Sequence, residues 1–212
     1  TIAVEARPID VHATFIRQQY AYRQGDVLIS VRDGDIVIDG GACWGDTALY
    51  FTDRVGPQGG VQAFEFVPHN LTILRRNIAY NPMLQARARV TENALWHTSG
   101  ETIQYERAGP SSSAKSKGPA SVGTLALDDW IEKTGVLPTF IKLDIEGAEA
   151  DALRGTARHI GKHGPRLAIA AYHKLEDLAR LPLLLKELNP AYKLYLDHFT
   201  TYGEETVLFA TT

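Results

Sequence analysis

Short apolar runs alternate along the chain with longer stretches in which apolar residues recur every three to four positions. The short runs are Val27 to Val31, Ile36 to Ile38 ending at Asp39, Val61 to Phe66, and Arg89 to Leu95. Phe140 to Asp144, Leu167 to Tyr172, Tyr192 to Leu196 and Thr206 to Ala210 complete the set. Each reads as a strand bounded by turn residues. Helices are expected from Ala48 to Gly56-Pro57, from Pro68 through Leu71, Leu74 and Ile78 to Asn81, and from Leu127 onward. Two more are expected from Glu149 to Ile160 and from Leu178 to Leu188, and Thr14 to Tyr22 predicts a short one.

Strand and helix in turn predict an α/β, Rossmann-like fold with a mostly parallel seven-stranded sheet and helices on both faces. The last two strands are joined by about nine residues, fewer than the dozen a parallel crossover needs, so they are expected to form an antiparallel C-terminal hairpin. A nicotinamide-binding domain would run parallel throughout.

The 212 residues suit one domain, 1–212, with residues 1–34 as an N-terminal extension carrying a short helix and strand. Residues 109–123 are rich in serine, glycine and lysine and have little to bury, so a flexible loop is expected there. A substrate lid and a plain connection fit it equally. A net charge of -3 gives no footprint for nucleic acid or an anionic membrane. No apolar run approaches the roughly 20 residues of a membrane helix. Cys43 is the single cysteine, so no intrachain disulfide can form, and a cytoplasmic setting is expected. The chain opens on Thr1 without a signal-peptide pattern, which leaves room for residues upstream.

The most informative segment is Asp39-Gly40-Gly41-Ala42-Cys43-Trp44-Gly45-Asp46-Thr47, a glycine turn between a buried strand and a helix. Such a turn lets backbone approach a nucleotide-like ligand, although its glycine spacing only half-matches the dinucleotide pattern. The acid at Asp39 would repel a pyrophosphate but favours the ammonium and sulfonium of S-adenosylmethionine. Glu65, ending the second sheet strand and followed by Phe66, suits ribose hydroxyls. Asn93, followed by Ala94, suits an adenine amino group.

Asp144 ends the fourth sheet strand with Lys142 on the same face, at the edge where cofactor and substrate meet. His173, after the next strand, is a candidate general base, and Asp144, His173 and Lys142 form the candidate catalytic set. His198 follows a neighbouring strand. A divalent metal, Mg²⁺ on Asp144 with Glu146 or His173, is the less favoured variant. Glu149 reads best as helix N-terminal charge, and Cys43 as a small turn residue.

Together, Val37-Ile38-Asp39-Gly40-Gly41-Ala42, Phe64-Glu65, Pro68, Asn70, Thr124-Leu125-Ala126-Leu127-Asp128-Asp129 and Phe140-Ile141-Lys142-Leu143-Asp144-Ile145-Glu146-Gly147-Ala148-Glu149 resemble the FkbM family of S-adenosylmethionine-dependent methyltransferases. Tyr172-His173 and Glu205-Thr206-Val207-Leu208 look like its closing segments. The resemblance implies the class I methyltransferase fold and O-methylation of a small-molecule or carbohydrate hydroxyl, on a sugar, polysaccharide or secondary metabolite. It implies a donor site at Asp39, Gly41, Glu65 and Asn93, and a reaction edge at Asp144 and Glu146. Rival readings are an NAD-dependent oxidoreductase and a binding module without chemistry.

Overall fold

The computed structural model describes residues 1–105, 118–201 and 205–212. The chain begins with α1 (Pro8–Val11), which runs directly into a π-helical turn (His12–Arg17). Pro8 sits at the first helical position, where its missing N–H costs nothing. The turn ends where Gln18 takes φ 53. The helix expected over residues 14–22 is therefore displaced toward the N-terminus. Tyr20 and Tyr22 turn inward instead and pack on Phe51 and Phe209. Tyr22 opens a small antiparallel hairpin, β1 (Tyr22–Gln24) and β2 (Val27–Ile29).

The main body follows as β3 (Ile36–Gly40), α2 (Asp46–Arg54), β4 (Gly60–Phe64), α3 (Pro68–Ala79), α4 (Pro82–Gln85) and β5 (Ala88–Thr91). Next come β6 (Ala94–Leu95), β7 (Thr102–Tyr105), β8 (Ala120–Leu125), α5 (Leu127–Thr134) and β9 (Phe140–Leu143). The chain closes with α6 (Glu149–Arg154), α7 (Ala157–His163), β10 (Arg166–Ala170), α8 (Asp177–Leu188), β11 (Lys193–His198) and β12 (Thr206–Thr211).

Seven strands form one sheet in the order β11-β12-β10-β9-β3-β4-β5. β12 lies antiparallel between β10 and β11, and the remaining pairs are parallel. Period-two alternation sends Ile38, Ile141, Leu167, Ile169 and Leu208 into the layer under α6, α7 and α8. Their neighbours Val37, Phe140, Ala168, Val207 and Phe209 enter the opposite layer, under α2 and the N-terminal hairpin.

Three differences from the sequence reading have local causes. The strand expected over residues 89–95 divides, because β6 leaves the main sheet and joins β8 and β7 in a three-stranded one. The helix expected over 149–160 breaks at Gly155, where any Cβ would come within 2.0 Å of the Trp96 carbonyl oxygen. The flexible loop expected over 109–123 falls largely on 109–117, outside the described residues, while 120–123 are strand, paired through Ser121↔Gln104 and Val122↔Ile103. Among the described residues, no helix is long and apolar enough to cross a membrane.

Candidate active site

Strand order reverses between β3 and β9, and two clefts open beyond the carboxyl ends of these strands. The smaller has a cavity volume of about 40 Å³ and the larger about 490 Å³. Gly41, Cys43, Asp144 and Glu146 border both.

The turn after β3 is fixed by contact with β9. Gly41 has φ 75, and a Cβ there would sit 1.9 Å from the Asp144 carbonyl oxygen. Only glycine allows that approach. The N–H groups of Gly41 and Ala42 both donate to the Phe64 carbonyl at 3.0 Å. Ala42 is fully buried, and Gly45 precedes Asp46 and Thr47, the first residues of α2.

Asp39 does not face the ligand space. It is 0% exposed, accepts from Thr47 Oγ1 at 2.7 Å, and ion-pairs with Lys142 Nζ at 3.1 Å. Its charge is neutralised inside the fold, so the expectation that it attracts a sulfonium or ammonium by direct contact is corrected. Lys142 is corrected likewise. Its ammonium also donates to the carbonyls of Gly40 (3.0 Å) and Gly41 (2.8 Å), so in this structure it is engaged in positioning the turn at the wall of the larger cleft. Burial opposes this ammonium, but Asp39 and then Asp144 outweigh it and hold the lysine pKa above its usual value.

The smaller cleft carries Glu65, Phe66, Asn93 and Ala94, as the sequence suggested. Glu65 Oε1 accepts the N–H groups of Phe66 and Val67, each at 2.7 Å, and Oε2 accepts from Asn70 at 3.3 Å. Burial raises the Glu65 pKa, while these donors pull against it. Asn93 spends its amide N–H on the Gly123 carbonyl at 3.1 Å, which fixes the side chain at the cleft wall.

The larger cleft holds Asp46 and Thr47 on one side and Asp144, Tyr172 and His173 on another, with the segment from Arg7 to Tyr20 as its outer wall. That wall is tied down upstream, because Asn77 and Asn81 bind the backbone of Glu5 and Ala3. Asp46 accepts from Thr14 at 2.6 Å, and burial raises its pKa to about 6. Asp144 accepts from Tyr20 at 2.7 Å and from Tyr172 at 3.2 Å.

His173 Nε2 lies 3.3 Å from Asp144 Oδ1 and 3.6 Å from Glu146 Oε2, and Nδ1 lies 3.1 Å from Glu149 Oε1. Burial works against the imidazolium, but Glu149, Asp144 and Glu146 overcome it and raise the pKa to about 9. These three carboxylates favour the charged form of the ring, which weighs against the general-base role expected of it. His198 lines neither cleft, although Phe199 and Thr200 beside it line the larger one: its Nδ1 contacts Thr206 Oγ1 at 2.8 Å on an exposed edge strand. Burial pushes the Cys43 thiol up, in keeping with a turn residue.

Tyr20 is not named in the sequence reading, and Asn70 and Tyr172 appear there without a site role, as carriers of the family resemblance. Tyr172 adjoined a chosen residue, whereas Tyr20 carried no local signal, being 124 residues from its partner Asp144. Strain marks the same region. Among the described residues, the non-glycine ones with positive φ are Gln18, Cys43, Glu146 and Glu205, and the last three border the larger cleft. Such conformations cost about 1–3 kcal/mol each and cluster at functional sites.

The strand order and the clefts at its reversal define a class I methyltransferase fold. The FkbM methyltransferase domain matches residues 39–192, and the chain belongs to that family. Similar solved structures include the FkbM methyltransferase from Methylobacillus flagellatus, 25% identical with a TM-score of 0.70. That likeness covers 95% of this chain and 52% of the other, so this chain spans about half its length. The fibrillarin of Aeropyrum pernix, solved with natively bound S-adenosylmethionine, is 12% identical over 86% of this chain and 68% of its own, with a TM-score of 0.56. An S-adenosylmethionine-dependent O-methyltransferase from Thermotoga maritima is 14% identical over 99% of this chain and 67% of its own, with a TM-score of 0.57. No curated protein matches in sequence.

Proposed function

We propose that the chain is an S-adenosylmethionine-dependent O-methyltransferase acting on a hydroxyl of a sugar, polysaccharide or secondary metabolite. The observation that carries this reading is the shared border of the two clefts at Gly41, Cys43, Asp144 and Glu146. Adenosine in the smaller cleft, with its ribose hydroxyls on Glu65, would bring the sulfonium to that border. The donor's ammonium then has Asp46 within the larger cleft as its counter-charge, the role first read into Asp39. Family membership supports methyl transfer, and the oxygen acceptor is our inference.

In this scheme the acceptor hydroxyl attacks the sulfonium methyl in line, and S-adenosylhomocysteine leaves. Holding the two reactants at near-attack distance supplies most of the acceleration. Asp144, fixed by Tyr20 and Tyr172, orients the hydroxyl and takes its proton. Lys142 and the His173 imidazolium hold carboxylates in place.

Transfer of labelled methyl from S-adenosylmethionine to a panel of hydroxylated sugars and metabolites tests the reading. Label should appear on oxygen, and Asp144→Asn should lower turnover roughly a hundredfold while retaining S-adenosylhomocysteine binding. Label on nitrogen or carbon alone, or unchanged turnover in Asp144→Asn, would overturn it.

A further inference from the structure

His173 is surrounded by more negative charge than its own charge offsets. Asp144, Glu146 and Glu149 all lie 3.1–3.6 Å from one ring nitrogen or the other. None of these approaches is an aligned hydrogen bond, since both ring nitrogens are buried without a hydrogen-bond partner. Glu149 is 1% exposed. Its Oε1 accepts the N–H groups of Ile145 (2.9 Å) and Gly147 (3.2 Å). Its Oε2 is buried with no partner at all. A buried carboxylate oxygen left unpaired is costly, and the usual remedies are a donor or a cation.

One ligand atom each from Asp144, Glu149 and His173 lies within 4.8 Å of the others. Ligands about 2.1 Å from a common ion are separated by roughly 3 Å when adjacent and 4.2 Å when opposed. The triad approaches that spacing, and binding would draw both carboxylates to one ring nitrogen. Supporting contacts are also in place. Tyr20 and Tyr172 donate to the Asp144 carboxylate, and backbone N–H groups fix Glu149. Asp144 keeps 18% of its side chain exposed, which leaves an open side toward the larger cleft.

We propose that Asp144, Glu149 and His173 bind a divalent cation of the Mn²⁺ kind beside the point of methyl transfer. Two carboxylates favour Mg²⁺ or Mn²⁺, and the imidazole tips the choice toward Mn²⁺. Glu149 replaces Glu146 in the ligand set that the sequence suggested. On its open side the ion would bind water or the acceptor hydroxyl, and only this last role rests on the methyl-transfer reading.

Titration of the whole chain with Mn²⁺, followed by electron paramagnetic resonance of the free ion, tests the site without turnover. One saturable Mn²⁺ per chain is expected. Its affinity should fall at least tenfold in both Glu149→Gln and Asp144→Asn and stay unchanged in Glu132→Gln, on the exposed face of α5 (Leu127–Thr134). Bound Mn²⁺ should also broaden the His173 ring signals of the unmutated protein before those of His163, a readout independent of how the variants fold. Absence of saturable binding, equal affinity in folded variants, or His163 broadening first would overturn the proposal. A chain that binds S-adenosylhomocysteine but no Mn²⁺ would lose the ion and keep the methyltransferase reading.

Discussion

The smaller cleft draws mainly on residues at strand ends: Gly41 after β3, Glu65 and Phe66 after β4, and Asn93 between β5 and β6, with Ala94 opening β6. The larger cleft combines Tyr20 from the N-terminal segment, Asp46 from α2, Asp144 after β9, Tyr172 and His173 after β10, and Phe199 after β11. The first is a consequence of sheet topology, and any chain with these strand ends would form something like it. The second depends on a segment folded back over the sheet and on hydrogen bonds between distant residues. On the proposed reading, most of the donor site follows from the sheet, while the acceptor side depends on the folded-back N-terminal segment.

The strongest way to break this division is to damage the brace beneath both clefts. Lys142→Met leaves Asp39 buried and unpaired, and should destabilise the chain by about 3–5 kcal/mol in chemical denaturation. Adding Asp39→Asn should restore most of that loss. Additive losses would mean that the pair does not act as a unit. Next in size is Gly41→Ala, whose Cβ collides with the Asp144 carbonyl. It should weaken S-adenosylhomocysteine binding roughly a hundredfold by calorimetry.

Asp46 separates stability from binding. Its folded pKa of about 6 lies above the usual 3.8, so the native state holds a proton that the unfolded chain releases between those values. The stability associated with that proton is present below pH 3.8 and lost as pH rises through about 6. Thr14 and Lys142 favour the carboxylate, whereas burial, Asp10 and Asp39 oppose it. Asp46→Asn should therefore raise stability by about 2–3 kcal/mol at pH 7.5 and have little effect near pH 3.5. The same change should weaken donor binding, since the ammonium loses its counter-charge. The smallest effect is expected at the ribose. Glu65→Gln should weaken S-adenosylhomocysteine roughly tenfold and leave the KM for the acceptor unchanged.

The division also explains what the sequence could reveal. Apolar runs and glycine turns marked the seven sheet strands, the terminal hairpin and the positions of Glu65, Asn93 and Asp144, because each follows from local pattern. The direction of the Asp39 charge was not legible. A carboxylate at a strand end looks the same whether it meets a ligand or, as here, a lysine 103 residues later on the adjacent strand. His173 was placed correctly at the edge, but its protonation depends on Glu149 reaching across the turn before α6. Tyr20 lay inside an expected helix, and only tertiary burial shows that it leaves the helix to hold Asp144. β7 was missed because its alternation, Thr102–Tyr105, lasts only four residues, and β8 because Ala120–Leu125 mixes small and polar residues.

Calorimetric titration of the unmutated chain with S-adenosylhomocysteine, and separately with NADH, tests the central claim most directly. The expected result is one S-adenosylhomocysteine bound per chain and no heat from NADH. Saturable NADH binding without S-adenosylhomocysteine binding would contradict the assignment of the smaller cleft.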